Sequence, residues 1–393
     1  MKFQTTLITT LLCCISQLTF AQWQISTGTA GLNMQSLLHK GTYDFAGGAT
    51  GAYRSIDSAA TYSFSNAGND AVGPTRGFTK DSNYVYTCTS QGVYRSSDNG
   101  ANWISKSSGI TNLLSSGITS AGTKLFMVGV GGVYMSTDSA ENWSITGLSG
   151  VDVRSITAMQ DTLYIGTLNS GIYKSIDWGV NWIPANNGLG ASNGFRAIEC
   201  KGTTLFAAGP IGTGVYRSTD FGANWVLLSG GLPSGSFRGF ASNNQLIVAG
   251  SFGAGVYYST DNGNNWTAIN NGLTDLQIFD LELNDHYIIA ATNTAGVFRY
   301  PIASLNLSGV GSDLNEENLI SIFPNPTTNE IHIKTNNILS GSDYTVFDGV
   351  GKAVSSGILH ADDTVIELGH LPNGVYSINV GRYLKHSFKV IKE

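Results

Sequence analysis

Charge, histidine, cysteine and helical periodicity are all scarce in this chain. Asp, Glu, Lys and Arg make up 12% of its 393 residues, about half the usual quarter, so the surface is expected to be polar and uncharged rather than laced with salt bridges. The net charge is −6 and no run of Lys or Arg occurs, so nucleic acid is not an expected partner. The six histidines, at 39, 286, 332, 360, 370 and 386, have no metal-ligand spacing, and neither a metal nor a cofactor is expected. Of the 4 cysteines, Cys13 and Cys14 fall in a leader. Cys88 and Cys200 fall in the second and fifth of a set of repeats, too far apart on a ring to form a disulfide. No segment sustains a 3.6-residue apolar period. Beyond the leader, no apolar stretch approaches the roughly 20 residues that span a bilayer.

Glycine, by contrast, is abundant, with 49 residues, and much of it belongs to a repeated phrase. Gly-(Val/Ile)-Tyr-x-Ser-x-Asp-x-(Gly/Ala)-x-Asn-Trp occurs at 92–103, 132–143, 171–182, 214–225 and 255–266. A worn copy starts at Gly51 and has Tyr62 in place of Trp, and a half-copy, Gly296-Val297-Phe298-Arg299, lacks Ser-x-Asp. The leading glycines lie 41, 40, 39, 43, 41 and 41 residues apart, the period of a repeat architecture.

Each unit offers three short apolar runs and a more polar fourth. In unit five these are 195–199, 205–208, 215–218 and 225–228. Short β-branched and aromatic runs closed by Gly, Asn and Ser predict antiparallel strands, and four strands per ~40 residues make a propeller blade. The expected fold is all-β: a seven-bladed β-propeller followed by a small Ig-like β-sandwich. Unit seven supplies strands at 279–283, 287–291 and 296–300 but no Trp strand. The orphan Trp23-Gln24-Ile25-Ser26, followed by Gly31-Leu32, resembles Trp266-Thr267-Ala268-Ile269 followed by Gly272-Leu273. The N-terminal segment is therefore expected to supply the missing strand and close the ring, leaving no open sheet edge.

The box residues form a local fastener: Ser96, Asp98, Gly100 and Trp103; Ser136, Asp138 and Trp143; Ser175, Asp177, Gly179 and Trp182; Ser218, Asp220, Gly222 and Trp225; Ser259, Asp261, Gly263 and Trp266. Glycine tolerates the positive φ of a tight turn, Asp and Ser bond its N–H groups, and Trp wedges between sheets. A calcium reading fails because Asp261-Asn262-Gly263 lacks alternating oxygen ligands.

These Ser-x-Asp-x-Gly-x-x-Trp boxes resemble the Asp-box (BNR) repeats of sialidase-like propellers, shared by xyloglucanases, sortilin-type receptors and photosystem II assembly-factor-like proteins. The resemblance covers about residues 22 to 304 and implies the fold. It implies little about activity, because in the enzymes of that group the box lies away from the active site.

The two ends of the chain suggest an export route. Lys2, the apolar stretch from Leu7 through Ile15 and the small-x-small site Thr19-Phe20-Ala21 form a secretory signal over 1–21. The propeller is expected over 22–304, a Ser/Gly/Asn-rich linker over 305–318 and the last domain over 319–393. In that domain alternating runs at 330–334, 344–347, 364–368, 375–380 and 387–390 read as a β-sandwich. Phe323-Pro324-Asn325-Pro326-Thr327, then Phe347 to Lys352, then Leu371-Pro372-Asn373-Gly374-Val375-Tyr376, then Phe388 to Lys392 look like the type A C-terminal sorting domain of type IX secretion. That resemblance implies the secretion machinery as partner and passage through the periplasm to the cell surface or medium, with removal of the tail.

For ligand chemistry, four arginines open first strands at equivalent positions: Arg76, Arg154, Arg196 and Arg238. First strands line a propeller's channel, and converging guanidinium groups suit a carboxylate ligand. Sialidases hold a substrate carboxylate with three such arginines, but no Phe-Arg-Ile-Pro motif occurs here, only Phe195-Arg196-Ala197 and Phe237-Arg238-Gly239. In the alternative reading, the arginines are copies made by duplication that pair with strand carbonyls or with Asp152 and Asp280. Glycoside hydrolysis needs two carboxylates about 5–9.5 Å apart, for which Asp70, Asp152, Asp275 and Asp280 are the candidates. Gly190-Ala191-Ser192-Asn193-Gly194 matches G-x-S-x-G, but no helix follows, as a nucleophile elbow requires. The expected function is a non-catalytic surface or secreted module that binds glycan or protein at the propeller mouth. The alternative is a sialidase- or xyloglucanase-like glycoside hydrolase.

Overall fold

The computed structural model describes residues 22–68, 73–191, 193–209, 213–305, 320–335, 343–349, 351–360, 363–380 and 386–393. The expected signal segment, Asp70, Ser192 and the linker beyond residue 305 lie outside the described residues. The chain divides into two compact units between Asn306 and Leu307.

In the first unit the described residues form seven four-stranded antiparallel sheets, numbered here in the chain order of their first strands. Those first strands are Met34–Lys40, Thr75–Lys80, Ser115–Ala121, Val153–Met159, Ala197–Lys201, Phe237–Ser242 and Ile278–Leu283. Each packs beside the first strand of the next sheet, and the seventh packs beside the first, so they line the centre of a ring. Second strands such as Val85–Thr89 and Thr204–Ala208 are buried along their whole length, because a neighbouring sheet covers each face. This accounts for near-continuous apolar runs where alternation would mark a half-exposed strand. Fourth strands keep only two residues, both exposed, as at Val226–Leu227. The seventh sheet takes its fourth strand from the other end of the unit: Gln24–Ile25 pairs with Val297–Pro301, with Gln24 opposite Arg299.

The boxes follow one hydrogen-bonding scheme. Ser96 Oγ donates to Asp98 Oδ1 at 2.8 Å and accepts the Gly100 N–H at 2.7 Å. Asp98 then takes the Asn102 backbone N–H and side-chain amide, each at 2.8 Å. Asn99 (φ 51°) and Gly100 (φ 83°) both adopt the left-handed region, which only glycine enters without strain. Desolvation opposes ionisation of Asp98, but the bonds from Asn102 and Ser96 outweigh it and lower the pKa. In the boxes of sheets three and five the Asn142 and Asn224 bonds hold Asp138 and Asp220 down at about 2. Trp103 packs against Phe45, Phe78 and Tyr94, from two adjacent sheets. Trp182 departs from the pattern: it is half-buried and its indole N–H has no acceptor.

The described part of the second unit holds a three-stranded sheet (Ile320–Phe323, Glu330–Thr335, Asp363–Glu367) and a four-stranded sheet (Ala353–Ile358, Asp343–Phe347, Gly374–Val380, His386–Lys392). Ile331, Ile333 and Ile366 from one sheet meet Val346, Ile378 and Val390 from the other in a single core. Two strands, Ile320–Phe323 and Ala353–Ile358, lie outside the five runs expected from the sequence. The second is the polar edge strand Ala-Val-Ser-Ser-Gly-Ile, without a buried residue.

Candidate functional site

Six of the seven first strands carry a β-bulge at the same place. Pairing jumps from Met34 to Ser36, Thr75 to Gly77, Ser115 to Gly117, Val153 to Ser155, Phe237 to Gly239 and Ile278 to Asp280. The extra residues are Gln35, Arg76, Ser116, Arg154, Arg238 and Phe279. On the fifth sheet Arg196 holds the equivalent place, one residue before the strand starts at Ala197. A bulge turns its extra side chain out of the ladder, and all seven of these residues line one cavity of about 570 Å³. The four arginines expected from the sequence are thus brought together, with their positions fixed by the backbone. The residue after each bulge is small (Ser36, Gly77, Gly117, Ser155, Ala197, Gly239), except for Asp280. At Gly239 a Cβ would stand 2.7 Å from the Asp280 Cα, so adjacent inner strands nearly touch there.

The arginines differ in their partners. Arg76 donates to Gln35 Oε1 at 2.9 Å and Arg154 pairs with Asp152 at 2.6 Å. Arg238 lies with its guanidinium carbon 3.6 Å from the Phe252 ring centre and 5.0 Å from that of Phe279. Burial, aided by repulsion from Arg196, lowers the Arg238 pKa. Arg196 is exposed and has no hydrogen-bonding partner among the described residues. The alternative of arginine pairing therefore holds for Arg154 with Asp152 and fails for Asp280. Asp280 binds no arginine; it takes the Leu37 N–H at 2.8 Å and the Leu281 N–H at 2.9 Å. Asp275 is a turn former, bonded to Gln277 N and to Thr294 N and Oγ1.

The same cavity is lined by three acids, Glu199, Asp280 and Glu282, of which Glu199 and Glu282 were not singled out from the sequence. Burial pushes Glu199 and Asp280 up to about 8 and raises Glu282 as well. The channel still leaves each partly within reach of water. Glu199 accepts from Ser242 Oγ at 3.0 Å, while Glu282 takes the N–H groups of Leu283 and His39 at 2.9 and 3.3 Å. Their sequence signal is an acid at an inward register of a first strand, flanked by apolar residues. Cys88 is buried, which raises its thiol to about 12, and Cys200 is likewise a free thiol.

In the second unit the last sequence block meets both the first and the third: Gly374, Val375 and Tyr376 pair with Lys392, Ile391 and Val390. Asn325, between Pro324 and Pro326, donates to the Lys389 carbonyl at 2.8 Å and accepts the Ile391 N–H at 2.9 Å. Tyr376 is buried and its hydroxyl donates to the Pro372 carbonyl at 2.7 Å, while Gly374 opens the strand that carries it. Residues 321–393 match the secretion system C-terminal sorting domain. The tail is a sorting domain. The protein is therefore exported by type IX secretion to the cell surface or the extracellular space, and its tail engages that machinery. No helix among the described residues is long and apolar enough to cross a membrane.

No curated protein sequence matches the chain. Among solved structures, YCF48 bound to D1 peptide is 15% identical, with TM-score 0.59, over 72% of this chain and 98% of that one. PorZ, an essential surface component of the type IX secretion system of Porphyromonas gingivalis, is 13% identical with TM-score 0.54. That likeness covers 93% of this chain and 60% of PorZ. The GH74 enzyme of Niastella koreensis is 18% identical with TM-score 0.55, over 72% of this chain and 44% of the enzyme. These are β-propellers, and at such identities the likeness shows the fold alone.

Proposed function

We propose that the first unit is a seven-bladed Asp-box propeller spanning 22–304, closed by the Trp23 strand, that acts as a non-catalytic interaction module. In this reading 1–21 is a signal peptide, 305–318 a linker and 319–393 an Ig-like sorting domain. The ligand is a protein or glycan that presents a carboxylate to the mouth. One observation carries the reading: six bulge positions and the equivalent place on the fifth sheet line one cavity, four of these seven residues are arginine, and Arg196 stands exposed without a described partner. Guanidinium groups held by a rigid scaffold bind carboxylates bidentately at little ordering cost. YCF48, which shares the fold, has been solved with a peptide bound, and this favours a peptide over a glycan.

Glu199 and Asp280 support a second reading, glycoside hydrolysis, since an acid pushed up to about 8 is still protonated at neutral pH, as a general acid must be. Both oxygens of Asp280, however, are engaged by backbone N–H groups, which ties that carboxylate to the ring. A peptide and glycan binding screen beside hydrolysis assays decides between them. Binding without turnover is expected, and turnover abolished by Glu199→Gln or Asp280→Asn would overturn the preference.

A further inference from the structure

Around the ring, adjacent sheets are joined by three recurring sets of bonds, and among the described residues the seam between the third and fourth sheets is the one from which all three are missing. The basic residue that follows the tyrosine or phenylalanine of a third strand donates to a box carbonyl on the next sheet. Arg54 reaches Asn99, Arg95 reaches Ser139, Lys174 reaches Phe221, Arg217 reaches Asn262 and Arg299 reaches Ser58, at 2.6–3.2 Å. This position is Met135 on the third sheet and Tyr258 on the sixth, and neither makes such a bond among the described residues; the seam between the sixth and seventh sheets keeps the indole and backbone N–H bonds of Trp23 instead.

The indoles repeat the pattern. Trp103, Trp143 and Trp225 donate Nε1–H to Ser65, Lys106 and Ala185 carbonyls on the preceding sheet at 2.8–2.9 Å, and Trp23 does so to Ile269. Their backbone N–H groups also cross the seam, as do those of Tyr62 and Trp266. Trp182, on the fourth sheet, makes neither bond, and a single Gly147 N–H to Gly179 carbonyl bond at 3.0 Å replaces them. On the inner strands Lys80, Ser120, Cys200 and Ser242 reach the carbonyls of His39, Lys80, Ala158 and Cys200, whereas the fourth sheet has Ala158 and the seventh Leu283 at that register. At the mouth end, Asp152 Oδ1, Arg154 Nε and Ser155 Oγ are buried without partners, all on the fourth sheet or its entry.

Val153 follows Trp143 by ten residues, where Ser115 follows Trp103 by twelve, so the connection into the fourth sheet is two residues shorter than that into the third. The seam is held chiefly by packing: Trp178 stacks on Phe126 with ring centres 6.3 Å apart, and Lys124 lies over the Trp178 face. Stacked surfaces slide at low cost, whereas directional bonds must break.

We propose that the ring opens at the seam between the third and fourth sheets, where the two sheets shear and widen the mouth beside Arg154. Local opening draws on the least-bonded element of a fold. Hydrogen exchange of the full chain, read by mass spectrometry, tests this. Backbone amides of Thr162–Thr167 and Ile172–Ser175 should exchange at least about tenfold faster than those of Thr204–Ala208 and Val215–Ser218. Met135→Arg, which supplies the missing donor, should slow that exchange about tenfold, the size of one charge-assisted bond. Arg217→Met should accelerate exchange at the seam between the fifth and sixth sheets. Trp182→Phe should leave the melting temperature unchanged where Trp225→Phe lowers it. Equal exchange in the fourth and fifth sheets of the unmodified protein overturns the proposal, as does equal loss from the two Trp→Phe changes.

Discussion

Asp280 on the seventh sheet accepts the backbone N–H of Leu37 on the first, 2.8 Å across the seam where the two ends of the first unit meet. Two residues on, Glu282 does the same for His39 at 3.3 Å. Both N–H groups lie on the free edge of an inner strand, where no ladder partner exists, and a buried donor without a partner is costly. The carboxylates supply acceptors at that edge. Their raised pKa values follow from the same burial.

The buried acids set a pH dependence. Glu199 has an ordinary value of 4.5 and is pushed up to about 8 by burial. Between those values the folded state binds the extra proton. The associated stability is complete below about pH 4.5 and is lost as pH rises through 8. Glu199→Gln should therefore flatten the fall in unfolding free energy between pH 5 and pH 9, measured in urea. An unchanged slope would show that Glu199 does not titrate in that window.

The boxes act with the opposite sign. Hydrogen bonds from Asn142 and Asn224 hold Asp138 and Asp220 at about 2, against an ordinary 3.8. Their contribution is present above about pH 4 and disappears as pH falls through 2. Asp220→Ala should lower the melting temperature at pH 7 and leave it nearly unchanged at pH 2. An equal drop at both pH values would assign the loss to packing instead.

Trp225 is 3% exposed and packs against Phe195 and Tyr216. Trp225→Ala should cost about 3–5 kcal/mol in denaturant unfolding. A loss below about 1 kcal/mol would show that the indole does not hold the sheets together.

Arg196→Lys keeps the charge but removes the planar fork. Affinity for a carboxylate-bearing ligand found in the binding screen should fall about tenfold or more, with an unchanged melting temperature, since Arg196 has no partner to lose among the described residues. A melting-point drop with unchanged affinity would make the residue structural.

Deletion of Ile320–Glu393 should leave the first unit in the periplasm, as judged by fractionation and blotting. Normal levels of the truncated chain outside the cell would refute the tail as the export address. Asn325→Ala, which removes both bonds to the final strand, should weaken export in the same assay.

The sequence disclosed what repetition makes visible. Glycine spacing and the boxes gave the four-strand unit, and the orphan Trp23 gave the partner of the seventh sheet. The arginines stood out because duplication had kept them in register. The bulges did not, because a two-against-one pairing leaves no mark on composition; the only trace is a small residue after each but the last, where Asp280 stands. Asp280 was misjudged for a similar reason: its partners, Leu37 and Leu281, contribute backbone N–H groups, which are identical for every side chain. The seam bonds of Arg54, Arg95, Lys174, Arg217 and Arg299 were hidden in plain sight, since the acceptor is a carbonyl of the next unit.

The bulge has a further consequence for how such a molecule diversifies. It separates six of the seven mouth positions from the ladder that holds the sheets, and the seventh, Arg196, lies just before its strand, so the ladder itself places little constraint on the identity of each. Gln35, Arg76, Ser116, Arg154, Arg196, Arg238 and Phe279 then read as a seven-letter word written on a fixed frame. Descendants of one ancestral ring can change a letter at a time and meet new partners while the frame, the fasteners and the export tail stay as they are.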